Sequence, residues 1–132
     1  MNQATPVSTS APTDGHRITF AELGVPHALA EALAAQGISS AFPIQTATLP
    51  DSLSGRDVLG RGRTGSGKTL AFALPLVAGL ADNRSSTKAG SPRGLVLVPT
   101  RELANQVLAV LEPLAATCGL SAAVIFGGVN QN

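Results

Sequence analysis

Apolar residues recur along this chain in two patterns, a helical spacing and short unbroken runs. Leu29 and Leu33 lie four positions apart, so they share one face of a helix. Pro26 suits the first turn of that helix, and Gly37 suits a left-handed C-terminal cap. The spacing therefore predicts a helix between Val25 and Gly37. A second short helix is predicted to start near residue 43 and to end at Pro50.

Two unbroken apolar runs have the length of buried strands, at residues 94–98 and 122–126, and residues 57–59, Asp-Val-Leu, are predicted to form a further strand that leads into a glycine-rich loop. Two longer helical stretches, residues 68–81 and 100–117, separate these runs. Continuous apolar strands that alternate with helices are typical of a parallel sheet covered on both faces. The sequence therefore predicts an α/β fold in which the strands and helices follow the order βαβαβ.

The two ends of the chain differ in their apolar content. Residues 1–17 contain Pro, Gly, Ser and Thr but hardly any large apolar side chain, which predicts a disordered tail. The apolar pattern of residues 18–132 is still running at residues 124–126, close to the last residue. We therefore expect residues 18–132 to be the beginning of a larger domain.

Composition excludes several classes of protein. With 9 basic and 8 acidic side chains the net charge is +1, which argues against a strongly basic nucleic-acid arm. The single cysteine cannot form a bridge within the chain, and nothing at the amino end resembles a signal peptide. The longest apolar stretch, residues 70–81, contains Pro75 and is shorter than the roughly 20 residues of a membrane-spanning helix. These features predict a cytoplasmic protein without a membrane segment.

A glycine-rich segment carries the clearest chemical signal. Residues 62–69 fit the pattern G-x-x-x-x-G-K-[ST], a loop whose backbone amides surround phosphate groups. Lys68 would reach the β and γ phosphates, and the Thr69 hydroxyl would bind Mg²⁺. These two residues are the candidate catalytic groups, and Thr69 is the candidate metal ligand. The loop residues predicted to contact the phosphates are Thr64, Gly65, Ser66 and Gly67.

A second nucleotide motif overlaps this loop. Residues 60–65 fit G-x-G-x-x-G, the dinucleotide-binding fingerprint, which requires an acidic residue about 20 positions further on, at the end of the next strand. Asp82 has about that distance, but it lies before the strand. The fingerprint also leaves Lys68 and Thr69 unexplained. The phosphate loop is therefore favoured, with a glycine turn that binds no ligand as the plain alternative.

Four segments resemble motifs of the DEAD-box RNA helicases, in the order and with the spacing of that family. They are residues 37–45, similar to the Q motif with Phe20 standing 17 positions before it, residues 62–69, similar to motif I, residues 99–104, similar to motif Ia, and residues 127–128, similar to the GG motif. The chain departs from the family at Gly62, where alanine is usual, and at Ala41 and Phe42, where a Pro-Thr-like pair is frequent.

The resemblance implies a RecA-like domain of an ATP-dependent RNA helicase, which uses ATP and Mg²⁺ and remodels RNA duplexes. Gln45 would pair with the adenine edge, and Phe20 would lie against the adenine face, although a surface glutamine and a core phenylalanine are the plain alternatives. Arg101 would bind an RNA phosphate, or else pair with Glu102. The residues implied in RNA binding are Pro99, Thr100, Arg101, Gly127 and Gly128.

Several helicase parts are missing from the 132 residues: the Asp-Glu-Ala-Asp box, the Ser-Ala-Thr motif and the second RecA-like domain. We therefore expect this chain to bind ATP weakly and to hydrolyse none. Two other classes stay open, a different phosphate-loop NTPase or kinase and a non-catalytic nucleotide- or RNA-binding module. The RNA substrate, the protein partners and the oligomeric state cannot be predicted from these residues.

Overall fold

The computed structural model describes residues 17–82 and 90–127, and these ranges contain four α-helices. The helices are α1 (His27–Ala35), α2 (Pro43–Leu53), α3 (Lys68–Asp82) and α4 (Arg101–Thr117). Apart from Arg17, the predicted tail lies outside the described residues, and so does Gly128. None of these helices is both long and apolar enough to cross a membrane.

The helix ends follow local chemistry. The predicted helix between Val25 and Gly37 is α1, which follows Pro26 and ends shortly before Gly37, where φ is +81°. Thr100 caps α4, since its side-chain oxygen accepts a hydrogen bond from the backbone N–H of Leu103 at 3.1 Å.

The predicted end of the second helix at Pro50 is wrong. Helix α2 continues through Pro50 to Leu53, although a proline removes one backbone hydrogen bond. Thr48 and Leu49 are buried just before the proline, and Leu53 packs against the core just after it. Burial of these side chains outweighs the lost hydrogen bond, which a sequence pattern cannot show.

One apolar core holds the four helices together. Helix α3 packs against both α2 and α4, and α1 packs against α4. The buried residues of this core are Phe20, Val25, Leu29, Leu33, Leu49, Ala73, Leu74, Val77 and Leu114. Every helix contributes to it, so the described part of the chain has a single hydrophobic centre, to which α3 contributes three residues.

The predicted parallel sheet does not form among the described residues. Residues 57–59, 94–98 and 122–126 contain no strand, and no ladder joins them to one another within 17–82 and 90–127. Burial alternates from residue to residue in the last two segments, as in an extended chain with one face against the helices. The other face is bare: Leu59 is 99% exposed and Leu97 is 83% exposed.

A parallel strand forms only where its backbone N–H and C=O groups bond to those of a neighbouring segment. Among the described residues, these three segments are not paired in a ladder with one another. The sequence pattern correctly marks residues 94–98 and 122–126 as apolar segments outside the helices, and the parallel pairing inferred from it stays a prediction. Between α3 and residues 94–98 lies an open apolar groove of about 450 Å³, lined by Phe72, Leu76 and residues 95–98.

Candidate functional site

The glycine-rich loop leads directly into helix α3, as the motif predicts. Lys68 is the first residue of α3 and is exposed to solvent. Gly65 and Gly67 both have a positive φ, +81° and +85°, with one residue between them. Alternation of right- and left-handed backbone is the geometry that turns successive N–H groups toward a common anion. The loop, the helix start and the ammonium can together hold a negatively charged group.

The loop residues fit a polyphosphate ligand chemically. The hydroxyl oxygen of Ser66 is buried and has no hydrogen-bond partner among the described residues. Buried hydroxyl groups normally have a partner, so this oxygen is a polar group available to a ligand. Thr69 follows Lys68 and is half-buried, and its hydroxyl is of the type that binds Mg²⁺ beside a nucleotide.

Gln45 joins the start of α2 to the phosphate loop. Its Oε1 accepts a hydrogen bond from the backbone N–H of Phe42 at 2.9 Å, and its Nε2 donates to the carbonyl oxygen of Gly67 at 3.0 Å. The side chain is only 1% exposed. Both ends of the amide therefore contact the protein in this structure. The plain alternative of a surface glutamine is wrong, and adenine recognition by Gln45 stays a prediction.

Gly67 is the point where the loop, α2 and α3 meet. Its carbonyl oxygen also accepts a hydrogen bond from Ala71 N–H at 3.3 Å, which starts the helix. A Cβ atom at Gly67 would lie 2.5 Å from Nε2 of Gln45 and 2.7 Å from Cδ2 of Phe42. The position therefore excludes a side chain for two reasons, its positive φ and the close approach of Gln45 and Phe42.

Phe42 is a site residue that the sequence analysis missed. Its ring lies against Gly67 and is 53% exposed. The available signal was the departure at this position, where an aromatic residue replaces a small hydroxyl residue. Sequence alone could not show that the ring borders the phosphate loop.

Phe20 lies in the core instead of at an open binding surface. An isolated antiparallel bridge pairs Thr19 with Ser40, and the carbonyl oxygen of Phe20 accepts a hydrogen bond from Val25 N–H at 3.1 Å. The turn between them directs the ring inward, where it is 2% exposed. The ring is packed in the core in this structure, and its contact with adenine stays a prediction.

Two of the segments predicted to bind RNA contact each other. The Arg101 guanidinium donates a hydrogen bond to the carbonyl oxygen of Gly127 at 3.0 Å, and its central carbon lies 5.6 Å from the centroid of the Phe126 ring. No ion pair joins Arg101 to Glu102 in the part of the chain that the structure describes. Pro99 and Thr100 are exposed beside this contact. Motif Ia and the start of the GG motif therefore form one surface.

A phosphate-binding loop that opens an α-helix defines a broad class of nucleotide-binding proteins. Within that class, the sequence profile of the family described as DEAD/DEAH box helicase matches residues 42–132. This chain belongs to the DEAD/DEAH box helicase family. The resemblance seen in the four sequence motifs is confirmed.

Two similar proteins have names that agree with membership of this family. The chain is 45% identical over 117 residues to DEAD-box ATP-dependent RNA helicase 3 of Helianthus annuus, covering 86% of this chain and 49% of the relative. It is 43% identical over 122 residues to DEAD-box ATP-dependent RNA helicase 3A, chloroplastic, of Zea mays, covering 90% of this chain and 16% of the relative. The chain thus spans about half of one relative and about a sixth of the other.

A solved structure shares the fold. The RNA helicase Prp28 from Chaetomium thermophilum, bound to ADP, superposes with a TM-score of 0.75 at 35% identity. The superposition covers 85% of this chain and 27% of Prp28. The described helices and loops therefore adopt the arrangement found in a helicase of this family.

Proposed function

We propose that residues 18–132 form the amino-terminal part of the first RecA-like domain of an ATP-dependent RNA helicase, following a tail at residues 1–17. The main observation behind this proposal is the geometry of the phosphate loop. Gly65 and Gly67 both have a positive φ, and the exposed Lys68 follows Gly67 directly. Family membership and the relatives named ATP-dependent RNA helicases support it. The apolar segments between the helices are the strand-forming segments of the proposed α/β domain.

ATP is the proposed ligand of the loop, with Mg²⁺ as its metal. Backbone N–H groups of residues 64–67 would surround the β phosphate, and the Lys68 ammonium would pair with the β and γ phosphates. The Thr69 hydroxyl would hold the metal. Mg²⁺ would supply neutralisation of the phosphate charge. The similar protein Prp28 was solved bound to ADP, which supports a nucleotide as the ligand.

RNA is the proposed partner of the surface around Arg101. Pro99, Thr100 and Arg101 lie at the start of α4, and the Arg101 contact brings Gly127 to the same place. The fifth proposed residue, Gly128, lies outside the described residues. The guanidinium has five N–H donors, so the bond to Gly127 leaves donors for an RNA phosphate. Such contacts bind RNA without regard to sequence, which agrees with a net charge of only +1.

Alternative functions share the loop but not the rest of the site. A small-molecule kinase or another phosphate-loop NTPase would need the same residues 62–69, yet the match at residues 42–132 is to the helicase family. A non-catalytic module would bind RNA with no effect of nucleotide. The cytoplasmic location stays a prediction, and the name of the maize relative places that protein in the chloroplast.

Replacing Lys68 with alanine tests the nucleotide site. We expect Lys68→Ala to weaken ATP binding by about tenfold or more, because a hydrogen bond between charged groups contributes about 1.5–3 kcal/mol. Isothermal titration calorimetry on the 132-residue chain measures the change. Arg56→Ala is the matched control, since it removes one exposed cation that pairs with Asp51 at 3.4 Å. Equal ATP affinity in wild type and Lys68→Ala would contradict the proposal.

The same proteins test the expected lack of turnover. Of the groups that phosphoryl transfer requires, the chain offers Lys68 and Thr69. A phosphate-release assay should therefore show no turnover above the Lys68→Ala background. Release of phosphate that depends on Lys68 would show that the 132 residues hydrolyse ATP.

Replacing Arg101 tests the RNA surface. We expect Arg101→Ala to weaken binding of single-stranded RNA several-fold and to lower the slope of log affinity against log salt by about 1, as for the loss of one phosphate contact. Fluorescence anisotropy with a labelled oligonucleotide at several salt concentrations measures both quantities. Arg56→Ala controls for net charge. An unchanged salt slope in Arg101→Ala would argue against a phosphate contact.

A further inference from the structure

Gly62 opens the phosphate loop, and its Cα lies directly against the side chain of Ser66. A Cβ atom at Gly62 would lie 2.5 Å from the Ser66 hydroxyl oxygen and 3.3 Å from Cγ of Lys68. Gly62 does not have a positive φ, so its backbone conformation is open to other residues. What the glycine provides at this position is therefore space, and the Ser66 hydroxyl fills it.

A tight turn holds Ser66 in this inward position. Its backbone N–H donates to the carbonyl oxygen of Arg63 at 3.0 Å, and the residue between them at the third position of the turn, Gly65, has φ +81°. A glycine with positive φ at that position is typical of a type II turn. The Ser66 hydroxyl oxygen is buried and has no hydrogen-bond partner among the described residues. This position is unfavourable for the oxygen, because a buried hydroxyl without a partner loses the hydrogen bonds that it makes in water.

A phosphate in the loop can accept a hydrogen bond from Ser66 only after the hydroxyl turns away from Gly62. We propose that Gly62 sets the nucleotide affinity of the loop, because the space beside its Cα admits an inward Ser66 hydroxyl that competes with phosphate binding. Gly62 is thus a positioning residue that acts through Ser66. When the binding-competent arrangement is only partly populated, the affinity is lowered by that fraction. This inference rests on the proposed nucleotide site and adds a residue that tunes it.

Replacing Gly62 with alanine fills the space. We expect Gly62→Ala to tighten the binding of ATP about threefold or more, because the Cβ atom excludes the inward hydroxyl and the competent arrangement becomes the major one. Inorganic tripolyphosphate should gain equally, since the hydroxyl acts on the phosphates and not on the base. Calorimetric titration of the 132-residue chain with each ligand measures both affinities. Gly79→Ala is the matched control, since Gly79 is exposed on α3 with no atom within 4 Å of its Cβ position, and it should alter neither.

A second background tests whether the effect passes through Ser66. In Ser66→Ala there is no hydroxyl to exclude, so adding Gly62→Ala should change the ATP affinity by less than about twofold. The same gain in both backgrounds would assign the effect to the Lys68 side chain or to the loss of glycine flexibility. Either assignment would overturn the inference.

The torsion of the Ser66 side chain can also be observed. Three-bond couplings between Hα and the two Hβ protons of serine report which staggered rotamer is populated. We expect the Ser66 couplings of wild type to change when ATP or tripolyphosphate is added. We expect Gly62→Ala to show the ligand-bound couplings before any ligand is added. Couplings that stay the same in Gly62→Ala, or in wild type on addition of ATP, would contradict the proposed competition.

The remaining outcomes also decide. Unchanged or weaker ATP binding by Gly62→Ala, or a gain for ATP without one for tripolyphosphate, would overturn the inference. If Gly62→Ala loses its helical circular dichroism signal, the Ser66 couplings of wild type with and without ATP decide. ATP binding by wild type that is indifferent to Lys68→Ala would refute the nucleotide site itself. That result is distinguishable from one in which Lys68→Ala weakens binding and Gly62→Ala has no effect.

Discussion

Gly67→Ala is expected to abolish measurable ATP binding and to lower the free energy of unfolding by about 2–4 kcal/mol. An alanine at φ +85° is strained, and its Cβ would lie 2.5 Å from Nε2 of Gln45. To relieve that contact the glutamine must move, which breaks its hydrogen bond to the Gly67 carbonyl oxygen. The loop then loses both its shape and its attachment to α2, so the phosphate site is lost with it.

Gly65→Ala is the matched control for this prediction. Gly65 has nearly the same backbone angle, φ +81°, but no atom lies within 4 Å of the position that its Cβ would take. We expect Gly65→Ala to cost only the backbone strain, about 1–2 kcal/mol. Urea denaturation followed by circular dichroism measures both variants, since the chain has no Trp or Tyr for fluorescence. Equal destabilisation by the two substitutions would show that the contacts with Gln45 and Phe42 contribute nothing.

Leu74→Ala is expected to lower the free energy of unfolding by about 2–5 kcal/mol, the range for a leucine removed from a core. Leu74 is fully buried in α3, the helix that packs against both α2 and α4. Small domains have a total stability of about 5–15 kcal/mol, so this variant should lose much of its helical signal at 37 °C. Thermal and urea unfolding monitored at 222 nm measure the change.

Leu59→Ala makes the same chemical change on the surface. Leu59 is 99% exposed, so its truncation removes no buried contact and should change the stability by less than about 0.5 kcal/mol. Because both variants replace leucine with alanine, the difference between their free energies of unfolding measures the contribution of burial. A loss for Leu59→Ala as large as that for Leu74→Ala would mean that residues 57–59 are buried in solution, as they would be in a completed sheet.

The helices could be predicted from the sequence because their signals are local. Spacing of Leu29 and Leu33, the cap at Thr100 and the glycine after α1 all act within a few residues. Pro50 shows the limit of this reasoning. The effect of a proline is local too, but the helix continues through Pro50 because Leu49 and Leu53 pack against other elements.

The sheet could not be predicted in the same way, because strand pairing is a contact between distant residues. The runs at residues 94–98 and 122–126 have strand length and alternating burial, yet they lie unpaired in the described structure. An apolar run shows only that burial of the segment is favourable. It does not show which segment lies beside it.

The candidate site was predictable where the motif itself sets the geometry. Residues 62–69 form a loop that opens α3, as expected from their glycines and from Lys68. The aromatic residues were not predictable, because burial decides their role. Phe20 and Phe42 have the same side chain, but tertiary packing buries the first and leaves the second half-exposed at the loop.

The bare face of the apolar segments has a consequence for solubility. Leu97 and Ile125 point away from the helices, and the backbone amides and carbonyls of their segments are not joined in a ladder within 17–82 and 90–127. Such an edge is a template for intermolecular β-sheet growth, and a net charge of +1 provides little repulsion between molecules. We therefore expect any self-association at high concentration to proceed through these two segments, and charged residues introduced at positions 97 and 125 to suppress it.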